Sequence, residues 1–176
     1  MIILMGVAGA GKSMQGRILA DEKGYAWIST GEILRVLVTG KRRQEMLEGK
    51  LLSDAEMIRM IDKVLDLIDL REEFVFDGFP RTFKQAEWLM DQVHMGRFSI
   101  NGVFHISASE DVVLKRLKDR GRTDDTEEAI RTRFDEYKAV TLPIIDGFRA
   151  NGIDVYDIDG STSPQEVHRQ IMEHVQ

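Results

Sequence analysis

The run Gly6-Val7-Ala8-Gly9-Ala10-Gly11-Lys12-Ser13 carries the residue types that bind polyphosphate, at the spacing such binding needs. It fills every fixed position of the pattern G-x-x-x-x-G-K-[ST], and it lies between an apolar run and a stretch with helical spacing. Glycines let the backbone turn tightly, so that successive N–H groups face a phosphate, and the following helix adds the positive end of its dipole. Lys12 is placed to reach the outer phosphates, and the Ser13 hydroxyl to ligate Mg²⁺. A glycine-rich strand-to-helix turn that binds nothing is the competing reading, and the full match in the right context argues against it. The motif implies a nucleoside triphosphate and leaves its fate open.

Three further segments bear on that fate. They are Ser29-Thr30-Gly31-Glu32-Ile33-Leu34-Arg35, then Asp77-Gly78-Phe79-Pro80-Arg81-Thr82 with Gln85, and then Arg120-Gly121-Arg122-Thr123-Asp124-Asp125. Each alone has an ordinary explanation: a helix cap, a turn after a strand, a solvated surface arginine. In this order after the phosphate loop, they closely resemble the adenylate kinases of the nucleoside monophosphate kinase family. The resemblance runs essentially end to end and closes with Asp159-Gly160-Ser161. The Asp77-Gly78-Phe79-Pro80-Arg81 string is its most specific piece.

The resemblance implies a reversible, Mg²⁺-dependent transfer of the terminal phosphoryl group of ATP to AMP, giving two ADP. It implies that Gly9, Ala10, Gly11, Lys12, Ser13 and Met14 meet the ATP phosphates, with Arg116 packing on the ATP adenine. Thr30, Arg35, Leu52, Gly78, Arg81 and Gln85 would form the monophosphate site, where Arg35 and Arg81 hold the phosphate and Gln85 reads the base. Arg120, Arg122 and Arg133 would close on the transferring group, making Lys12, Arg81, Arg120, Arg122 and Arg133 the catalytic set. Asp77 would hold Mg²⁺ through water together with Ser13. Asp124 and Asp125 would anchor the closing arginines. Such convergence of cations suits phosphoryl transfer, which asks for positioning and charge stabilisation rather than a catalytic base. His94, His105, His168 and His174 therefore receive no role, and His105 reads as a neutral core histidine.

The chain also departs from the family pattern. Ser13-Met14 stands where glycine and threonine are usual, which keeps the cation ligand and removes one expected phosphate contact. Only Gly121 separates Arg120 from Arg122, so the closing loop is minimal. With no cysteine in the chain, zinc held by thiolates, as in some long-lid members, is not expected.

The elements that must position these residues follow from hydrophobic pattern. Short apolar runs at Met1–Met5, Tyr25–Ile28, Phe74–Phe76, Val103–Ile106 and Val155–Ile158 predict strands buried on both faces. Helices are expected after Lys12, with Met14, Ile18 and Leu19 inward, and over Met57–Ile68 behind a Ser53/Glu56 capping box. Further helices are expected over 82–93 and 110–119. The longest starts near Asp124 and is interrupted or ended around Pro143. The last has Ser163 as cap, Pro164 in its first turn and Glu166 closing the box. Five such alternations predict an α/β fold: a five-stranded parallel sheet with helices on both sides, of the P-loop nucleoside-triphosphate-hydrolase type. A single domain over 1–176 is expected, with a core of 1–28, 71–118 and 125–176. A helical monophosphate-binding arm would span about 29–70, and a short lid loop about 119–124.

Bulk properties narrow the class further. The 176 residues carry a net charge of −6, which argues against a general nucleic-acid binder. No apolar run approaches the length of a membrane span, and the N-terminus lacks a signal-peptide pattern. A cytoplasmic enzyme, a monomer by the resemblance, is expected. The basic run Lys41-Arg42-Arg43 reads as a solvated helix face, and the methionines, Met5, Met14, Met57 and Met60 among them, as adaptable core packing. Open alternatives are a kinase for another nucleoside monophosphate, an ATPase or metabolite kinase on the same scaffold, and a nucleotide-sensing module that does not turn over.

Overall fold

The computed structural model describes residues 1–40, 43, 52–121 and 126–175. Strands β1 (Ile2–Met5), β2 (Ala26–Ser29), β3 (Phe74–Asp77), β4 (Gly102–Ser107) and β5 (Val155–Asp159) form one parallel sheet in the order β2-β3-β1-β4-β5. Every neighbouring pair is parallel, so each chain return crosses the sheet through helix, as the alternation predicts.

Side chains alternate across β1. Ile3 and Met5 enter one core with Phe74, Phe76, Leu89 and Ile145; Ile2 and Leu4 enter the other with Leu19, Phe104, Leu117 and Phe134. Helices cover both faces. Helices α3 (Asp54–Leu65), α4 (Phe83–His94) and α7 (Leu142–Ala150) supply the first core. Helices α1 (Lys12–Lys23), α5 (Glu110–Arg120), α6 (Glu127–Glu136) and α8 (Pro164–Met172) supply the second. Helix α2 (Thr30–Leu37) leaves the end of β2 directly.

Several expectations are corrected. The central strands are buried on both faces, whereas β2 and β5, at the sheet edges, are only partly covered. The inward face of α1 is Gln15, Gly16, Leu19 and Ala20, while Met14 and Ile18 are 54% and 36% exposed. Met14 is thus not core packing. Gly16 explains the rotation: a Cβ there would lie 2.7 Å from Trp27 Nε1, so the helix packs its smallest residue against the sheet. The helix before Pro143 is interrupted, as expected, rather than ended. It widens to a π-turn segment at Tyr137–Thr141 and runs on as α7. Leu142 N–H reaches the carbonyl of Tyr137, five residues back, and this shift of the ladder accommodates a proline that has no N–H to give.

The Ser53/Glu56 capping box is present in full, with both reciprocal bonds. At α8 only half of it forms. Ser163 accepts from Glu166 N–H, but the Glu166 carboxylate turns to Arg169 instead.

Candidate active site

The carboxyl ends of β1, β3 and β2 bring the predicted residues to one edge of the sheet. The loop after β1 leaves through Gly6, at φ 140°, where a Cβ would lie 2.1 Å from the carbonyl oxygen of Ile106. Only glycine lets the chain turn that close to β4. Ala10 N–H closes the loop on Val7, and Gly11 begins α1 as its N-cap. Gly9 packs over α5, with Val113 and Leu117 each 2.9 Å from where its Cβ would be.

Lys12 lies inside this loop. Its Nζ donates to the carbonyls of Gly6 at 2.7 Å and Val7 at 2.8 Å. Burial pulls its pKa down to about 8; Asp77 opposes the shift, and the charges of Arg81 and Arg120 reinforce it. Lys12, Asp77, Arg81 and Arg120 therefore share one electrostatic neighbourhood. Arg133, from α6, joins it through Arg81. The Arg81 pKa is lowered by loss of solvent, with Asp77 opposing and Arg133 adding to the fall. By surface area the Arg81 residue is exposed, so the cleft is open while the guanidinium lies deep within it.

Asp77 is the buried counter-charge. Ser29 Oγ donates to its Oδ2 at 2.9 Å. Ser29 stands at the N-cap of α2, yet its hydroxyl serves this carboxylate rather than the helix.

On the acceptor side, Thr30 Oγ1 donates to the Gly78 carbonyl at 3.0 Å, and Arg81 Nε donates to the same carbonyl at 2.7 Å. Gly78, at φ 80°, has no room for a side chain: a Cβ would lie 2.7 Å from Arg81 Nη2 and 2.8 Å from Thr30 Oγ1. The next peptide, Phe79–Pro80, is cis. Gln85 Oε1 accepts from Arg81 N–H at 2.8 Å, and Gln85 Nε2 donates to Asp54 Oδ1 at 2.9 Å. Thr82, the N-cap of α4, donates its hydroxyl to the same Asp54 oxygen at 2.7 Å. Thr30, Gly78, Arg81 and Gln85 are thus assembled as one cluster.

Other predicted residues stand apart from it. Arg35 is ion-paired with Glu32 on its own helix. Arg116 donates to the carbonyls of Gly160 at 2.6 Å and Thr162 at 3.3 Å, fixing the turn after β5. Ser13 is exposed at the start of α1, Met14 faces solvent, and half-buried Leu52 precedes the α3 cap. Arg122, Asp124, Asp125, Lys41 and Arg42 lie outside the described residues.

The sequence reading missed Asp54 and the Ser29 hydroxyl, because their partners lie 31 and 48 positions away. It also understated His105. That side chain is buried in β4 but bonded at both nitrogens, to Asp157 Oδ1 at 2.7 Å and to the Tyr137 hydroxyl at 2.5 Å.

Among the described residues no group of three or more His, Cys, Asp or Glu could hold a metal ion alone. A hydroxyl and one carboxylate suit a hard cation whose other ligands are phosphate oxygens and water, which is how Mg²⁺ is usually held beside nucleotides. Ser13 and Asp77 fit that ion. Among the described residues no helix is long and apolar enough to cross a membrane.

Comparison with known proteins agrees with this geometry. A family profile described as adenylate kinase matches residues 4–153. A protein of Corynebacterium urealyticum named adenylate kinase is 36% identical over 91% of both chains. Namesakes from a Mycobacterium species (strain MCS) and from Leptospira biflexa are each 34% identical, covering 98% and 99% of this chain and 97% and 98% of their own. The phosphate loop, the cations grouped about Lys12 and Arg81, and the Thr30–Gly78–Arg81–Gln85 cluster therefore have one explanation: the chain belongs to the adenylate kinase family.

Proposed function

We propose that this protein catalyses the reversible transfer of the terminal phosphoryl group of Mg·ATP to AMP, giving two ADP. The observation that carries the reading is the placement of Lys12 and Arg81 beside Asp77, with Arg120 acting on Lys12 and Arg133 on Arg81, between a phosphate loop and the Thr30–Gln85 cluster. The loop N–H groups and Lys12 hold the donor phosphates. Arg81, its Nε fixed on Gly78, presents its outer nitrogens to the acceptor phosphate. Arginine's planar fork spans two phosphate oxygens and stays charged when water is excluded. Held by Ser13 and, through water, by Asp77, Mg²⁺ would neutralise charge on the phosphate oxygens. The acceptor phosphate is itself the nucleophile, already ionised near neutral pH, so the protein supplies alignment and charge rather than a base.

Arg35 would complete the acceptor site by exchanging Glu32 for the acceptor phosphate, and the resemblance gives Arg122 a place beside it. Arg97 ties α3 to the end of α4 through Asp62, Asp66 and Gln92. With Asp54 bonded to Gln85 and Thr82, α3 is tied to α4 at both of its ends. The acidic net charge and the family's habit support a cytoplasmic monomer acting on free nucleotides rather than on nucleic acid or membrane.

A phosphorus NMR time course with Mg·ATP tests the function, using AMP, CMP, UMP, GMP or no acceptor. ADP formation with AMP alone is expected. Transfer to another monophosphate would overturn the base assignment, and no transfer at all would overturn the reaction.

A further inference from the structure

The Gln85 side chain is 5% exposed, and its amide is held from two sides by partners that cannot exchange roles. Its Oε1 faces the backbone N–H of Arg81 at 2.8 Å, a group that can only donate. Its Nε2 faces Asp54 Oδ1 at 2.9 Å, a carboxylate oxygen that can only accept. Thr82 closes the arrangement. Its hydroxyl takes the Gln85 backbone N–H at 3.2 Å, which leaves its proton for Asp54 and keeps that carboxylate in place. Turning the amide over would set N–H against N–H at Arg81 and oxygen against carboxylate at Asp54. Each mispairing leaves buried polar groups without a complementary partner.

From this we infer that Asp54 is a specificity-determining positioning residue: by locking the polarity of the Gln85 amide, it makes the site accept 6-amino purines and reject 6-oxo purines. The inference rests on the reading of Gln85 as the group that meets the acceptor base. After its two fixed bonds, the amide keeps one lone pair on Oε1 and one N–H on Nε2. The adenine edge supplies their complements, a 6-amino donor beside the N1 acceptor. The hypoxanthine or guanine edge presents the reverse, a 6-oxo acceptor beside an N1–H donor. An unrestrained glutamine would serve either edge by rotating half a turn, at little cost. Discrimination therefore resides in what prevents that rotation. The Arg81 N–H is part of the backbone, so Asp54 is the member that a substitution reaches.

The test compares kcat/KM for AMP with that for inosine monophosphate, which carries the 6-oxo edge without the 2-amino group of guanine. Wild type, Asp54→Asn and Gln85→Leu are measured in the full chain. An asparagine amide at position 54 can turn to donate or accept, so the AMP preference is expected to fall by about tenfold or more, the worth of one mispaired bond. A weakened scaffold lowers both values together and leaves their ratio unchanged. Should Asp54→Asn fail to fold, Asp54→Ser, whose hydroxyl both donates and accepts, gives the same readout. An unchanged ratio in a folded Asp54 variant, with Gln85→Leu abolishing the preference, overturns the role of Asp54 alone. A preference that survives Gln85→Leu overturns the reading of Gln85 beneath it.

Discussion

Ser29 Oγ lies 2.9 Å from Asp77 Oδ2, and the two residues are direct partners in the register of β2 and β3. Both are buried at the strand ends where the cleft begins. The bond fixes one oxygen of the carboxylate that opposes the charge crowding at Lys12 and Arg81. Ser29→Ala would leave that oxygen without its donor, at a cost of about 1–3 kcal/mol. Urea unfolding should show a lower midpoint, and, if Asp77 holds the ion through water as proposed, the Mg²⁺ concentration for half-maximal activity should rise. A variant with wild-type midpoint and Mg²⁺ dependence would remove this bond from both roles.

Lys12 trades stability for function. Its pKa is depressed to about 8 from the ordinary 10.5, so the unfolded chain binds the proton more tightly than the folded one. Below pH 8 the full penalty applies, on the order of 3 kcal/mol. The penalty fades as pH rises from about 8 to 10.5. Lys12→Met should therefore unfold at equal or higher denaturant at pH 7, while its advantage over wild type vanishes by pH 10.5. Phosphoryl transfer should drop by a few orders of magnitude in the same variant. ATP binding near pH 8 should draw protons onto Lys12, whose charged form the phosphates favour. Calorimetry in buffers of different ionisation enthalpy reads that uptake, and Lys12→Met should abolish it.

Arg81 and Arg35 should behave differently in the free enzyme. The Arg81 guanidinium is already fixed, its Nε on Gly78, whereas Arg35 is paired with Glu32 and must be released. Arg81→Lys keeps the charge and loses the fork, so KM for AMP should rise by about tenfold or more with ATP affinity nearly unchanged. Glu32→Gln should do the opposite and lower KM for AMP, because it frees Arg35. Steady-state kinetics with each nucleotide varied in turn separates the two, and an unchanged KM for AMP in Glu32→Gln would show that the pair does not compete with phosphate.

How far the sequence reached follows the range of the interactions involved. Strands, caps and the phosphate loop are written in neighbouring residues, so Phe74–Asp77, the Ser53 box and Gly6–Ser13 were all legible. The face of α1 was not, since apolar Met14 and Ile18 gave the expected spacing while Gly16 and Trp27 decided the packing from different elements. Pro143 carried a rule, that it breaks helices, without the exception supplied by the π-turn segment before it. Arg35, Arg81 and Gln85 were legible through motif resemblance. Asp54 was not, because its role exists only where α3 meets α4. The bonds of Arg116 to the carbonyls of Gly160 and Thr162 were not legible either, since they exist only where α5 meets the turn after β5.

The last prediction concerns the far end of the helix that carries Arg133. Tyr137 lies one turn beyond Arg133, opens the π-turn segment, and binds His105 Nε2 of β4. Asp157, paired with Arg149, holds the other nitrogen of the same imidazole. A carboxylate only accepts, so Nδ1 carries a proton toward Asp157, while Nε2 is joined to the Tyr137 hydroxyl. Burial first, and then the Asp157 charge, raise the Tyr137 pKa above 10, so the hydroxyl stays a donor up to at least that pH. Above 10 the unfolded chain loses its proton first, and this contribution to stability declines with rising pH until the folded phenol also ionises. Tyr137→Phe removes the bond and leaves a buried ring nitrogen unpaired. It should lower unfolding free energy by about 1–2 kcal/mol. If the bond also registers Arg133 toward Arg81, and Arg133 acts on the transferring group as proposed, kcat should fall several-fold with KM for AMP and ATP little changed. Denaturation curves and full steady-state kinetics on one preparation decide between these. Lost stability with wild-type kcat would confine the bond to the fold, and a fall in kcat alone would place it in catalysis.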